Sequence, residues 1–242
     1  MDTLKLVHPS TMMIAGPTNS GKTVFMIRCL EHNMFQTAPS ELNTHDLNRK
    51  FPDRLIWVYG EWQPLYEKVK KLIPKVEFVT DFDFDVNPEQ RNLIVIDDMM
   101  LKAKSDKRVS NLFVQGSHHR NATVVYIVQN LYEQGTQSRT IHLNTQYFVL
   151  MKTNRALDQI GQFASQQLGK NNREGFLEVY KDATRKPHSY LFVDIRQETP
   201  SWFRLRAKIF PDQNQRVYLL KDMQKEFESK CHSIKRKAAN ID

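Results

Sequence analysis

Thr11-Met-Met-Ile-Ala-Gly-Pro-Thr-Asn-Ser-Gly-Lys-Thr23 is the stretch on which the reading of this chain turns. Thr11 to Ala15 is an apolar run of strand length that stops at Gly16. Gly16-Pro17-Thr18-Asn19-Ser20-Gly21 is a loop by composition. From Thr23 to about Asn33, Val24, Ile27, Cys29 and Leu30 supply the apolar face of a helix. The loop matches G-x-x-x-x-G-K-[ST] in full. A phosphate chain needs backbone N–H groups that approach closely, which glycines permit. It also needs a cation for its β- and γ-phosphates, here Lys22, and a hydroxyl on Mg²⁺, here Thr23. The helix that follows turns its positive dipole end to the same anion. Strand, loop and helix in that order are the context this chemistry demands. Residues Gly16 to Thr23 are therefore the expected seat of a nucleoside triphosphate, ATP with Mg²⁺.

Working outward, Leu55–Tyr59 reads as a second strand, and a helix opens at Pro64 and ends before Pro74. Val76–Thr80 is a third strand and Leu93–Ile96 a fourth, finishing in Asp97-Asp98. A helix fits Lys107 to His119, and Thr123–Val128 is a fifth strand. Strand Gln146–Lys152, helices Arg155–Leu168 and Arg173–Ala183, and strands Ser189–Ile195 and Phe203–Ile209 follow. Continuous apolar strands alternating with helices predict an α/β fold, a mostly parallel sheet flanked by helices. The last two strands, joined through Pro200, suggest an antiparallel edge. One core domain is expected over residues 1–211, with the polar stretch 34–53 as a surface insertion and a basic helix or tail over 212–242.

Asp97 and Asp98 narrow the chemistry. An apolar strand that delivers an acid beside the phosphate loop supplies the second holder of Mg²⁺, so Thr23 and Asp97 form the expected metal pair. A second carboxylate directly after it is where water-activating ATPases keep the group that orients or deprotonates water, which assigns Asp98 as the base. Gln129 ends the next strand at the carboxyl edge, in reach of a γ-phosphate or of that water. A base-reading N-K-x-D signature is not apparent, nor is the arginine-rich lid of small-molecule P-loop kinases.

Three stretches carry a family likeness: Met13–Thr23, Asn92–Asp98 and His118-His-Arg-Asn-Ala-Thr-Val-Val-Tyr-Ile-Val-Gln-Asn-Leu131. They resemble the genome-packaging ATPases of the FtsK-HerA superfamily, nearest to the poxvirus-type branch of large DNA viruses and of polinton, adintovirus and related elements. Arg139–Asn144, Gln146–Lys152 and Leu191–Asp194 extend the likeness over roughly residues 11–211. The resemblance implies a RecA-like core working as a homo-oligomeric ring, with ATP between neighbours. It implies translocation of double-stranded DNA into a preformed capsid, with a capsid or portal-type partner. It places the protein in an infected host cell, nucleus or cytoplasm, or with the virion. An arginine shortly before the sensor strand reaches the neighbour's ATP in that superfamily; Arg120 holds that position here, with Arg139 as a second candidate. Many cellular members carry Glu where this chain has the shorter Asp98. The alternatives are another DNA-translocating motor, of conjugation or segregation type, and a P-loop small-molecule kinase.

Composition agrees with a globular chain. Of 242 residues, 40% are hydrophobic and 26% charged, which excludes wholesale disorder. No apolar run nears the roughly 20 residues that cross a bilayer, and the N-terminus lacks the pattern of a signal peptide. Two cysteines, Cys29 and Cys231, exclude a disulfide scaffold. His118-His119 has no spacing that makes a zinc site. The net charge of +8 is uneven: residues 1–100 hold 11 basic and 14 acidic side chains, residues 101–242 hold 24 and 13. A basic half fits a polyanionic partner or a solubilising surface. At the C-terminus, Leu220, Met223, Phe227, Cys231 and Ile234 recur at helical spacing among lysines. That helix either packs on its own domain or faces DNA or a capsid.

Overall fold

In a computed structural model, residues 4–37, 50–103, 105–116, 120–132 and 134–239 are described, with the backbone alone at 100, 101, 116 and 232–239. Along the chain run β1 (Leu6–His8), β2 (Thr11–Ala15), α1 (Lys22–Glu31), β3 (Phe35–Thr37), β4 (Arg54–Tyr59), α2 (Tyr66–Leu72), β5 (Glu77–Val79), β6 (Asn92–Asp97), α3 (Met100–Ala103) and α4 (Lys107–Asn111). Then follow β7 (Ala122–Val128), α5 (Ser138–Leu143), β8 (Tyr147–Met151), α6 (Leu157–Leu168), α7 (Arg173–Ala183), β9 (Tyr190–Asp194), β10 (Leu205–Ala207), β11 (Arg216–Tyr218) and α8 (Lys221–Ala239).

Among the described residues, nine strands form one sheet in the order β11-β10-β9-β8-β2-β7-β6-β4-β5. From β8 to β5 every pairing is parallel. β9, β10 and β11 add on antiparallel at the other side. The fold is thus the mostly parallel α/β sheet with antiparallel edge strands that the alternation predicts. β1 and β3 make a small separate parallel ladder.

Both faces of the sheet are covered, which is why its strands read as unbroken apolar runs. On one face Met12 and Ile14 of β2 join Phe25 and Met26 of α1 and Tyr66 and Val69 of α2. On the other, Met13 and Ala15 join Val109 of α4, Phe163 of α6 and Phe176 of α7. Trp57 is fully buried, while Trp62 is 43% exposed and stands edge-on to Tyr59, Tyr66 and Phe78.

Several details differ from the sequence pattern. The helix expected over 107–119 closes at Asn111 and widens into a π-helical turn over Leu112–Gly116; His118 and His119 lie outside the described residues. The stretch 34–53 opens with β3, and its residues 38–49 also lie outside them. Within 212–242, β11 extends the sheet, and Leu220 and Met223 are buried in the core. From Gln224 to Lys230 the helix is exposed, with Phe227 39% exposed beside Trp202.

Candidate active site

Three neighbouring strands bring the site to one edge of the sheet. Ala15 of β2 pairs in register with Val128 of β7, and Asp97 of β6 with Ile127 of β7. The Gly16 N–H continues that ladder, donating to the Val128 carbonyl at 3.2 Å. The phosphate loop, Asp97, Asp98 and Gln129 are therefore delivered to the same carboxyl edge, where open α/β sheets hold their ligands.

The loop needs its glycines for two different reasons. A Cβ at Gly16 would lie 2.5 Å from Met151 Cβ, so only a bare backbone passes β8 there. Gly21 has φ +98°, in the left-handed region, and turns the chain into α1. Asn19 at φ 61° takes the same region, which asparagine tolerates. The first turn of α1 carries no acid, so its positive end stays uncompensated toward the loop. Ser20 Oγ is buried with no hydrogen-bond partner among the described residues. Lys22 Nζ donates to the carbonyls of Gly16 and Pro17, at 2.8 and 2.9 Å, and so braces the loop with its own cation. Burial draws the Lys22 pKa below its ordinary value, against the opposing pull of Asp97 and Asp98.

Asp97 is 3% exposed. Its Oδ2 accepts hydrogen bonds from Thr23 Oγ1 at 3.0 Å and from Tyr66 OH at 3.1 Å. Burial pushes its pKa up to about 6, although both hydroxyls and Lys22 pull it back. A buried carboxylate and a threonine hydroxyl, both hard oxygen donors, fit Mg²⁺, which takes one or two protein oxygens and completes its shell with phosphate and water. Asp98 is exposed directly after β6 with φ 56°, a left-handed backbone.

Lys22, Thr23, Asp97, Asp98 and Gln129 line one cleft of about 710 Å³. Thr18, Asn19 and Gly21 join them there, whereas Gly16 and Pro17 line a second cavity with Thr18 and Gln129, and Ser20 lines neither. Sequence reasoning missed the cleft's other walls: Arg28 of α1, Gln63 and Leu65 before α2, His188 and Tyr190 at β9, and Phe210. Tyr66, the donor to Asp97, was missed as well. None of these carries a local signal, because they come from separate segments that only the folded sheet brings together.

Neither candidate arginine lies on this cleft. Arg120 is half-buried before β7, and its carbonyl accepts from Asn92 Nδ2 at 3.3 Å. The seven residues of β7, at about 3.3 Å each, separate it from Gln129 by on the order of 20 Å. Arg139 sits on α5 and lines a different cavity with Tyr132 and His142.

No protein-family model matches this chain, and no curated protein matches it. Solved structures do. The genome packaging NTPase B204 from Sulfolobus turreted icosahedral virus 2, in complex with sulfate, is 11% identical with a TM-score of 0.49, over 90% of this chain and 98% of that one. The same protein in complex with ATP-gammaS is 10% identical, TM-score 0.47, over 87% and 97% of the two chains. The cytoplasmic domain of the Thermomonospora curvata type VII secretion ATPase EccC is 16% identical, TM-score 0.43, over 84% of this chain and 24% of that one.

Proposed function

We propose that this chain hydrolyses ATP and uses the energy to move double-stranded DNA, as a ring of identical subunits of the viral genome-packaging type. The observation that carries the reading is the Thr23–Asp97 contact at 3.0 Å, inside the cleft that also holds Lys22, Asp98 and Gln129. We read that constellation as a phosphate cradle, a pair of oxygens for a metal and a further carboxylate beside them. The packaging branch itself rests on the sequence resemblance.

In this reading the loop N–H groups and Lys22 bind the phosphates. Thr23 and Asp97 would hold Mg²⁺, which neutralises phosphate charge when bound. Asp98 takes the proton of the attacking water as its oxygen bonds to the γ-phosphorus. The bond to the β,γ-bridging oxygen breaks, and ADP leaves with that electron pair. Gln129 orients the water or the γ-phosphate. Arg120, on the far edge of its own sheet, serves the ATP of a neighbour whose carboxyl edge it meets. DNA is held by its phosphates through the basic residues of 101–242, in any sequence.

The test is ATP turnover with and without duplex DNA. Turnover that rises with duplex, and whose stimulation fades as salt is raised, is the expected result. ATP consumed only when a small-molecule acceptor is supplied, with duplex irrelevant, would assign a kinase instead.

A further inference from the structure

The cleft, at about 710 Å³, is roomier than a phosphate chain requires, and its walls differ in chemistry. Thr23, Asp97, Asp98 and Gln129 mark the γ-phosphate end, beneath β6 and β7. Away from these, the cleft is walled by Arg28, Tyr190 and Phe210, on the side where β8 and β9 follow β2 in the sheet. His188 stands between the two: a Cβ at Gly21 would lie 3.5 Å from its Nδ1, so its ring covers the last residue of the phosphate loop. A triphosphate anchored at the first end thus directs its base to the second.

Arg28 is the unusual group at that end. Its Nη2 donates to both carboxylate oxygens of Asp212, at 2.6 and 2.7 Å. The guanidinium carbon lies 4.1 Å over the ring centre of Phe210. Phe210 is held in turn by Phe25 at 5.2 Å and by Tyr190 at 6.1 Å. A planar cation pinned by a carboxylate and backed by an aromatic ring is a rigid flat surface, at the base end of the cleft.

Base selection needs more than a flat surface. Guanine is told from adenine by an acceptor for its N1–H and amino group, and adenine by a matched donor–acceptor pair. Among the described side chains of this wall, neither an amide nor an uncommitted carboxylate is present: Asp212 is bound by Arg28, and the Tyr190 hydroxyl, which accepts from the Ile209 N–H at 3.1 Å, keeps one proton to donate and cannot by itself match a purine edge. Stacking remains, and stacking follows ring area and not edge pattern.

The geometry points to Arg28, backed by Phe210, as the platform on which the base stacks, and to a substrate class of purine nucleoside triphosphates in which adenine and guanine are accepted alike. This rests on the reading of Gly16–Thr23 as a triphosphate site. Calorimetric titration of the full chain with ADP, GDP, CDP and pyrophosphate, each with Mg²⁺, tests it. ADP and GDP should bind within about threefold of each other, and CDP about tenfold more weakly. Arg28→Lys keeps the charge for Asp212 but loses the plane. It should weaken ADP and GDP together by about five- to tenfold and leave pyrophosphate within twofold. Phe210→Leu should do the same from behind the platform. ADP preferred over GDP by more than about thirtyfold would overturn the tolerance. Nucleotide affinity untouched by Arg28→Lys, or pyrophosphate weakened as much as ADP, would overturn the platform. Failure of pyrophosphate and every nucleotide to bind the wild-type chain would remove the phosphate site itself, and this proposal with it.

Discussion

A buried carboxylate, Asp97, and a half-buried cation, Lys22, set what single residues can be asked to show. Asp97 and Lys22 line the same cleft, yet Lys22 spends its donors on the loop carbonyls and Asp97 takes its bonds from hydroxyls. Their roles should separate from that of the exposed Asp98. Lys22→Ala is expected to abolish nucleotide affinity and turnover together, because the point charge on the phosphates is gone. Asp98→Asn should keep binding while hydrolysis falls by about 10²-fold or more. Wild-type turnover in Asp98→Asn, measured by phosphate release, would pass the base role to another acid. His142 gives a test away from the cleft. It packs between Tyr132 at 4.9 Å and Phe148 at 5.0 Å, and burial lowers its pKa to about 4. The unfolded chain takes up the proton near pH 6.5 and the folded chain only near 4, so stability is full above 6.5 and declines as pH falls through that window. The contribution is on the order of 3 kcal/mol at most. His142→Gln should show a shallower loss of urea stability between pH 7 and 4.5 than the wild type; parallel pH curves would contradict the assignment.

At the scale of elements, the phosphate loop is held by the strands around it as much as by its own residues. Gly16 is fastened to β7 through the Val128 carbonyl and pressed against β8 at Met151. The atom that a new Cβ would meet is itself a Cβ, tied to the backbone of a buried strand, and cannot swing away. Gly16→Ala should therefore cost about 1–3 kcal/mol in chemical denaturation and lower nucleotide affinity at the same time. A variant of wild-type stability would mean that β2 and β8 can part locally, and that the loop is softer than its packing implies. The last helix shows the reverse balance. Leu220 and Met223 fix the start of α8 in the core, but Phe227 is 39% exposed and meets Trp202 edge-on at 5.8 Å. Of that amphipathic pattern, Leu220 and Met223 are buried in the core and Phe227 is not.

For the whole molecule, the separation of Arg120 from the cleft is the feature that bears on assembly. An arginine on the order of 20 Å from the γ-phosphate end of its own site acts on another subunit or acts structurally. A finger supplied in trans is worth about 10³-fold or more in rate. Arg120→Ala should bind ATP almost normally and hydrolyse it poorly. Mixed with Lys22→Ala subunits it should regain activity, since some interfaces then pair an intact loop with an intact finger. Mixed oligomers that stay inactive, with both variants present, would return Arg120 to a role within its own subunit. Full turnover by a dilute monomer would exclude a shared site altogether.

The order strand, loop, helix at Thr11–Glu31, the parallel core strands and the acids at the end of β6 were all legible in the chain. Each is written in consecutive residues: a strand buried on both faces must be apolar throughout, and a phosphate loop must place its glycines, lysine and threonine at fixed spacing. β1, β3 and β11 escaped because three residues show no period, and α5 because six barely make one. Folding alone decided the rest. Tyr66 reaches Asp97, His188 covers Gly21, and Arg28 meets both Phe210 and Asp212 only because the sheet order sets distant segments side by side. A local pattern records which face of an element is apolar; it does not record which residue, 184 positions away as Asp212 is from Arg28, will lie against that face.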